Sequence, residues 1–260
     1  MPGEEVAYEV RDRVAYVTID RPERRNALSK AVTASLVERF SEANDDPDVW
    51  AVVITGTGDR AFCAGADLKE LDELARQHKP FQVPMGGPQR NLFETVLETY
   101  KPTIASINGA VLAGGCELAL ACDLRIAADH ARIGMPEVKR GMGANFATVL
   151  LPRLIPRAVA LEMLYTGEPL TAAEALRWGL VNKVVPYEKL ADETEAMVRG
   201  IVANAPLTLR RYKEMTIKGW ELPVQTALRL NVGPNPYLTE DREEGVRAFV
   251  EKRKPVWKAR

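Results

Sequence analysis

The run Ala110–Asp123, A-V-L-A-G-G-C-E-L-A-L-A-C-D, constrains this chain more than any other stretch. It is apolar apart from its glycines and one internal carboxylate, Glu117. The β-type run Pro102–Ile107 precedes it, with Asn108-Gly109 as a break. Leu118–Cys122 then reads as a helix buried on most faces. The pattern is strand, turn, glycines and helix, with Glu117 in the first helical turn. A helix start offers unpaired N–H groups and a positive dipole end, and glycines let a ligand approach the backbone closely. A carboxylate there is costly unless paired or used. Two readings stay open for the stretch alone: a ligand site, or a tight turn with a buried, hydrogen-bonded Glu.

The rest of the chain frames this element. Val6–Val10 and Val14–Ile19 read as a hairpin around Arg11-Asp12-Arg13. After a polar loop, Asp20–Leu28, Ser29 caps a helix predicted to about Asn44, with Val32, Leu36, Val37 and Phe40 on one face. Val49–Thr55 reads as a buried strand. Gly56–Asp67 follows as a loop whose Gly65 and small neighbours allow close approach to a ligand. Asp67 can equally cap a helix Leu68–Arg76. Gln77–Gln89 is rich in Pro and Gly and reads as a mobile loop. Asn91–Thr99 reads as a helix, Leu124–Ala128 as a strand and Asn145–Leu154 as a helix. Thr171-Ala172-Ala173-Glu174 reads as a capping box opening a helix to Trp178, and Leu180–Val185 as a strand. Glu137, in M-P-E-V, reads locally as a surface residue. Helical patterns follow near 189–203, 206–219, 223–231 and 240–252. Alternating strands and helices followed by helices alone indicate an α/β core, residues 1–190, with a helical C-terminal region, 191–260.

Composition narrows the function. With 260 residues and a net charge of -1, the chain has no general attraction for nucleic acid or anionic membranes. No apolar run reaches the ~20 residues that span a bilayer. The opening M-P-G-E-E lacks the basic and apolar regions of a signal peptide. Cys63, Cys116 and Cys122 read as reduced core residues, so a cytoplasmic protein is expected. His78 and His130 have no metal-ligand spacing around them, and no metal site is expected.

I-N-G-A-V-L-A-G-G-C-E-L-A-L-A-C-D followed by M-P-E-V-K resembles the crotonase superfamily, specifically the enoyl-CoA hydratase/isomerase family. The resemblance extends to V-T-I-D-R-P-E-R-R-N-A-L, A-F-C-A-G-A-D-L-K, T-G-E-P-L-T-A-A-E-A-L-R-W-G-L-V-N-K-V-V and F-V-E-K-R-K-P-V-W. It implies an α/β fold, a spiral of ββα turns forming two sheets, with C-terminal helices that build homotrimers or hexamers. It implies hydration of a 2-enoyl-CoA without metal or redox cofactor, CoA being part of the substrate. By resemblance, the N–H groups of Ala66 and Gly114 hold the thioester oxygen, and Glu117 and Glu137 move the protons. Ala64, Asp67 and Leu68 match one CoA-binding loop, and Arg25 and Ala27 another. Phe249 and Lys252 match C-terminal residues that reach CoA from a neighbouring subunit. Arg25 and Lys252 also read as ordinary solvated charges.

One stretch departs from the family pattern. Many hydratases read L-G-x-x-P-G-A-G-G-T after the second Glu, whereas this chain reads R-G-M-G-A-N-F-A-T-V, Arg140–Val149. Asn145 and Phe146 put bulk and polarity where glycines are common, which points to the acyl pocket. The C-terminal half also resembles carnitinyl-CoA dehydratases. An isomerase relying on Glu117 alone, and a non-catalytic or RNA-binding member of the fold, are the remaining alternatives.

Overall fold

The computed structural model describes residues 5–79, 86–88 and 90–260. Most of the Pro- and Gly-rich Gln77–Gln89 stretch, and the first four residues, lie outside the described residues. The predicted hairpin is present as β1 (Val6–Arg11) and β2 (Val14–Ile19), antiparallel from Val6 opposite Ile19 to Arg11 opposite Val14. Asp12 and Arg13 turn it with positive φ angles. Strands β3 (Ala51–Gly56), β5 (Thr103–Ile107), β7 (Leu124–Ala128) and β10 (Lys183–Val185) continue the sheet in parallel, in the order β1-β2-β3-β5-β7-β10.

A second sheet is built from β4 (Ala61–Cys63), β6 (Ala110–Leu112), β8 (Arg132–Gly134) and β9 (Leu170–Thr171). It accounts for stretches that read as loops or turns from sequence. Each of these strands is two or three residues long, too short for period-2 alternation to show. The chain thus steps from a strand of the first sheet to one of the second, β3 to β4, β5 to β6 and β7 to β8. Helices then lead it back, directly to β7 after β6 and by way of β9 to β10 after β8, in the ββα spiral that the resemblance implies.

Helix α1 (Lys30–Asp45) begins as expected, with the Ser29 hydroxyl accepting the Val32 N–H at 3.1 Å, and buries Val32, Leu36, Phe40 and Ala43. Helix α2 (Leu68–Arg76) is capped by Asp67, and α3 (Leu92–Leu97) by a capping box of Asn91 and Glu94. Helix α4 (Gly114–Ala121) has every residue after Gly114 buried. The buried Arg125 guanidinium closes its far end, donating to the carbonyls of Ala119 (3.2 Å) and Cys122 (2.6 Å). A cation at a helix C-terminus is favourable for the dipole.

Beyond β8 come a 3-10 helix, Pro136–Arg140, then α5 (Asn145–Leu154), α6 (Arg157–Thr166) and α7 (Ala172–Arg177), which carries the predicted Thr171–Glu174 capping box. The elements after β10 are helical: α8 (Leu190–Val202), α9 (Pro206–Gly219), α10 (Val224–Ala227), a 3-10 turn Pro236–Leu238 and α11 (Glu240–Val250). Of these, α8 covers the outer face of the first sheet. Its Val198 packs in one cluster with Val14, Ala51, Val53 and Ile104, and Thr194 hydrogen-bonds Ser106 at 2.9 Å. The main core fills the other face, where α1, α3 and α4 meet the strands.

The start of α4 sits directly on β4. A Cβ on Gly115 would lie 2.2 Å from the Cys63 carbonyl oxygen, whereas one on Gly114 would meet nothing nearer than Leu28 Cδ1 at 3.4 Å. Gly115→Ala is therefore expected to lower unfolding free energy by about 1–3 kcal/mol, the usual range for overpacking a tight core. Gly114→Ala is expected to change it by less than about 1 kcal/mol. Urea unfolding of both variants checks this; equal stabilities would mean that α4 does not depend on that close approach.

Candidate active site

The site forms where three chain segments meet at the start of α4. Ala113, just before the helix, has φ 54 and ψ −132, a conformation that L residues rarely adopt. Such backbone costs on the order of 1–3 kcal/mol and is found where surrounding structure enforces it. Here the Ala113 N–H is held by the Gly134 carbonyl at 3.0 Å, while its own carbonyl accepts the N–H groups of Cys116 (2.8 Å) and Glu117 (3.0 Å). The Gly114 N–H has no acceptor among the described residues.

Beside it lies the loop after β4. Gly65, at φ 87, has no room for a Cβ, which would approach Ala113 Cβ to 2.6 Å and Gly114 N to 3.1 Å. The Leu28 N–H donates to the Gly65 carbonyl (2.8 Å), and the Asp67 N–H donates to the Leu28 carbonyl (3.0 Å). Ala66 between them is exposed, and its N–H likewise has no acceptor among the described residues. Two unpaired amide donors, Ala66 and Gly114, thus belong to adjacent backbone segments, as an oxyanion-binding pair requires.

Glu117 is 7% exposed in the first turn of α4. Its Oε1 accepts the Ala147 N–H at 3.0 Å, in the first turn of α5. The carboxyl therefore supplies an acceptor to a helix start that has no side-chain cap of its own. Burial pushes the Glu117 carboxyl up to about 7; the Ala147 and Phe146 N–H groups oppose that rise, and the charge of Glu137 adds to it. Glu137, on the Pro136–Arg140 3-10 helix, is 6% exposed, so the surface position suggested by its local sequence is corrected. The proline sets the chain, and the residues that bury the carboxyl come from elsewhere in the fold. Its Oε2 is buried with no hydrogen-bond partner among the described residues. Burial raises its proton affinity also, against its own backbone N–H and the charge of Arg140. Neither carboxyl forms an ion pair among the described residues, so two acids share an apolar site in which the charge of one raises the pKa of the other.

The structure also places the remaining candidates. Phe146 is buried and its ring lies 5.5 Å from that of Phe93, tilted by 42°. Phe93 Cζ is the second neighbour a Cβ on Gly114 would meet, at 3.6 Å, after Leu28. The sequence reading assigned no role to Phe93 or Leu28; a Phe in a short helix carries no local mark of a site. Asn145 begins α5 and is exposed. Ala64 donates its N–H to the Arg25 carbonyl (3.1 Å), joining the two loops matched to CoA. Arg25 is exposed with φ 51, Leu68 is 45% exposed and Ala27 is buried. Asp67 is committed within the chain: it caps α2 through the Lys69 and Glu70 N–H groups and pairs with Arg21 at 3.2 Å. Phe249, 86% exposed at the end of α11, and Lys252, just beyond it, face solvent in the single chain. No group of three or more His, Cys, Asp or Glu among the described residues could hold a metal ion, and no described helix is long and apolar enough to cross a membrane. All three cysteines are free and buried.

Residues 9–260 match the enoyl-CoA hydratase/isomerase family, and the chain belongs to it. It is 40% identical to (E)-benzylidenesuccinyl-CoA hydratase of Thauera aromatica, over 97% of this chain and 98% of that one. It is 37% identical to crotonyl-CoA hydratase of Syntrophomonas wolfei, over 98% of each, and 39% identical to carnitinyl-CoA dehydratase of Citrobacter koseri, over 94% of each. The crystal structure of an enoyl-CoA hydratase from Mycobacterium tuberculosis superposes with a TM-score of 0.88 at 35% identity, covering 99% of this chain and 100% of that one.

The raised Glu117 carboxyl has a consequence for stability. A carboxyl near 7 in the folded chain and near 4.5 when unfolded stabilises the fold at low pH, and that contribution is lost as pH rises from about 4.5 through about 7. Relative to Glu117→Gln, the wild type should lose on the order of 3 kcal/mol across that window and stay level above it, at about 1.4 kcal/mol per pH unit. Denaturant unfolding of both proteins from pH 4.5 to 8 measures it. A difference that stays constant with pH would mean Glu117 is ionised throughout.

Proposed function

We propose that this chain is an enoyl-CoA hydratase, adding water reversibly across the 2,3-double bond of a 2-enoyl-CoA to give the 3-hydroxyacyl-CoA. The observation that carries it is the pair of buried carboxyls, Glu117 and Glu137, neither in an ion pair among the described residues, close to two free N–H groups. In the forward direction, water attacks C3 and electron density moves onto the thioester oxygen. The N–H groups of Ala66 and Gly114 stabilise that charge; fixed donors of this kind contribute about 3–4 kcal/mol each. Glu117, whose ionised form is supported by the Ala147 N–H, takes the proton from water. Glu137, with one oxygen unpartnered in a buried position, delivers a proton to C2. Hydration changes no net oxidation state, so the proposed reaction calls for no redox cofactor.

Arg25, Ala27, Ala64, Asp67 and Leu68 are assigned to CoA, with Asp67 acting through the loop it holds. Phe249 and Lys252 are assigned to the CoA site of a neighbouring subunit in a homotrimer or a pair of trimers. Supporting this is a C-terminal surface of large apolar side chains: Val224 is 69% exposed, Leu228 71%, Tyr237 80%, Leu238 84% and Val250 74%. Patches of this kind mark association surfaces. A cytoplasmic setting, in the turnover of acyl chains, suits three buried free thiols.

A second reading concerns the acyl group. The Phe93–Phe146 pair stands beside Gly114 and offers aromatic walls. Such walls suit an aryl group, or a trimethylammonium group through cation–π attraction, and two of the relatives are named for acyl groups of these kinds. Comparing kcat/KM for crotonyl-CoA, longer 2-enoyl-CoAs, cinnamoyl-CoA and crotonobetainyl-CoA separates the readings.

With the best of these substrates, Glu117→Gln and Glu137→Gln should each lower kcat by about 10²–10⁴-fold. The double variant should be far less than multiplicatively worse, since both groups act in one transition state. A folded Glu137→Gln enzyme turning over at nearly the wild-type rate would sink the two-carboxylate mechanism and favour an isomerase relying on Glu117. For assembly, light scattering at assay concentration should give at least three chains per particle; an active monomer would reject it.

A further inference from the structure

The two donors assigned to the thioester oxygen stand on different segments, and the Ala66 segment is a loop of small residues bridged to Leu28 on both sides of Ala66. A buried guanidinium ties together the two loops that meet at that bridge. Arg21 lies on the Asp20–Leu28 loop, is 8% exposed, and makes bonds in several directions. Its N–H donates to Asn26 Oδ1 (3.0 Å), its Nη1 to the Ala27 carbonyl (2.8 Å) and its Nη2 to Asp67 Oδ2 (3.2 Å), while Nε lies 2.6 Å from the Glu5 carboxylate. Asn26, 1% exposed, extends the lashing through Nδ2 to the carbonyls of Thr57 (3.1 Å) and Ala61 (2.7 Å), at the approach to β4. One planar fork therefore bridges the carbonyl next to Leu28 and the carboxylate next to Ala66. Leu28 meanwhile takes up the flanking Gly65 carbonyl and Asp67 N–H, which leaves the Ala66 N–H directed away from it.

We propose that Arg21 and Asp67 are positioning residues for the oxyanion donor at Ala66: their buried ion pair fixes the direction of that N–H relative to the N–H of Gly114. The inference rests on the hydratase reading above and adds residues that do not touch the reacting atoms. A point-like ammonium cannot span both acceptors as a guanidinium does. Arg21→Lys should therefore loosen the loop while keeping the charge. Asp67→Asn keeps a residue able to cap α2 but removes the charge that faces Arg21 from the Ala66 loop, while Glu5 keeps its own, so it separates the cap from the ion pair.

The test uses a spectroscopic reading that a purely structural role does not move. Para-dimethylaminocinnamoyl-CoA is a conjugated thioester whose absorption moves to longer wavelength when hydrogen bonds polarise its carbonyl. The wild type should shift it on binding. Arg21→Lys and Asp67→Asn, folded by circular dichroism, should lose at least half of that shift. They should also lower kcat for crotonyl-CoA by about 10- to 100-fold, the scale of a misplacement near 1 Å, with a smaller change in KM. Full shift and full kcat in both folded variants would overturn the proposal and leave the ion pair a role in folding only. If Arg21→Lys fails to fold, Asp67→Asn decides by the same two measurements. A wild type that produces no shift rejects the oxyanion assignment itself, and with it this inference, and that outcome is read without any variant.

Discussion

The site depends on the contact between the first turn of α4 and the carbonyl of Cys63 on β4. Gly115 makes that contact possible, since no side chain fits between the two backbones. The strained Ala113 turn follows from it, because the chain leaving β6 must reverse at once to begin the helix. With the turn fixed, the Gly114 N–H is left without an acceptor, and Glu117 falls one turn later on the inward side of α4. A single steric condition thus places a donor and an acid within one helical turn. Arg125, bonded to the last carbonyls of α4, holds the other end of the helix.

Burying two carboxyls without a cation is unfavourable for their charged forms. The fold lessens this with backbone N–H groups at Glu117, and at Glu137 also with the charge of Arg140. Helix α5 directs its uncapped first turn at Glu117, so an orphan N–H of one helix meets an orphan acid of another. Supporting the charge with N–H groups leaves the carboxyl able to change protonation, which a direct ion pair with Arg or Lys would suppress. Glu137 receives less support, only its own N–H and the nearby charge of Arg140. The two acids are therefore held unequally, which suits the proposed division into acid and base.

Much of this was legible in the sequence, and what was not has physical reasons. The hairpin, the Ser29 and Thr171 caps, the buried β3 and the glycine-rich start of α4 rest on local rules, and the structure contains each of them. The second sheet was hidden because its strands are two or three residues long and paired by the spiral, not by their own pattern. The burial of Glu137 was opposite to its local reading, since its neighbours in space come from distant parts of the chain. Phe93 and Arg21 were passed over for the same reason: a Phe in a short helix and an Arg before a proline gain meaning only when another segment arrives beside them. In each case the missing information was long-range contact.

Helices α9 and α11 carry charged side chains at buried positions: Lys213 and Glu214 in α9, Asp241 in α11. Helix α9 is fastened to the core by a nearly buried ion pair, Lys213 with Asp123 at 2.8 Å, backed by the Lys101 carbonyl at 3.0 Å. At α11, Asp241 is 2% exposed and accepts the N–H groups of Lys258 (2.7 Å) and Ala259 (3.0 Å), turning the tail back along the helix. Trp257 Nε1 ties that tail to the Ala203 carbonyl at 2.7 Å. Polar bonds thus fix the shape of the layer, while Tyr237, Leu238, Phe249 and Val250 stay outside it. Apolar side chains left exposed contribute little to the stability of a lone chain and gain most from being covered. The layer is also preorganised, so covering it would cost little further ordering of backbone. On these grounds the surface is better suited to the proposed assembly with further copies than to a free-standing chain. In the proposed assembly, the exposed Phe249 and Lys252 are the side chains offered to a neighbouring copy.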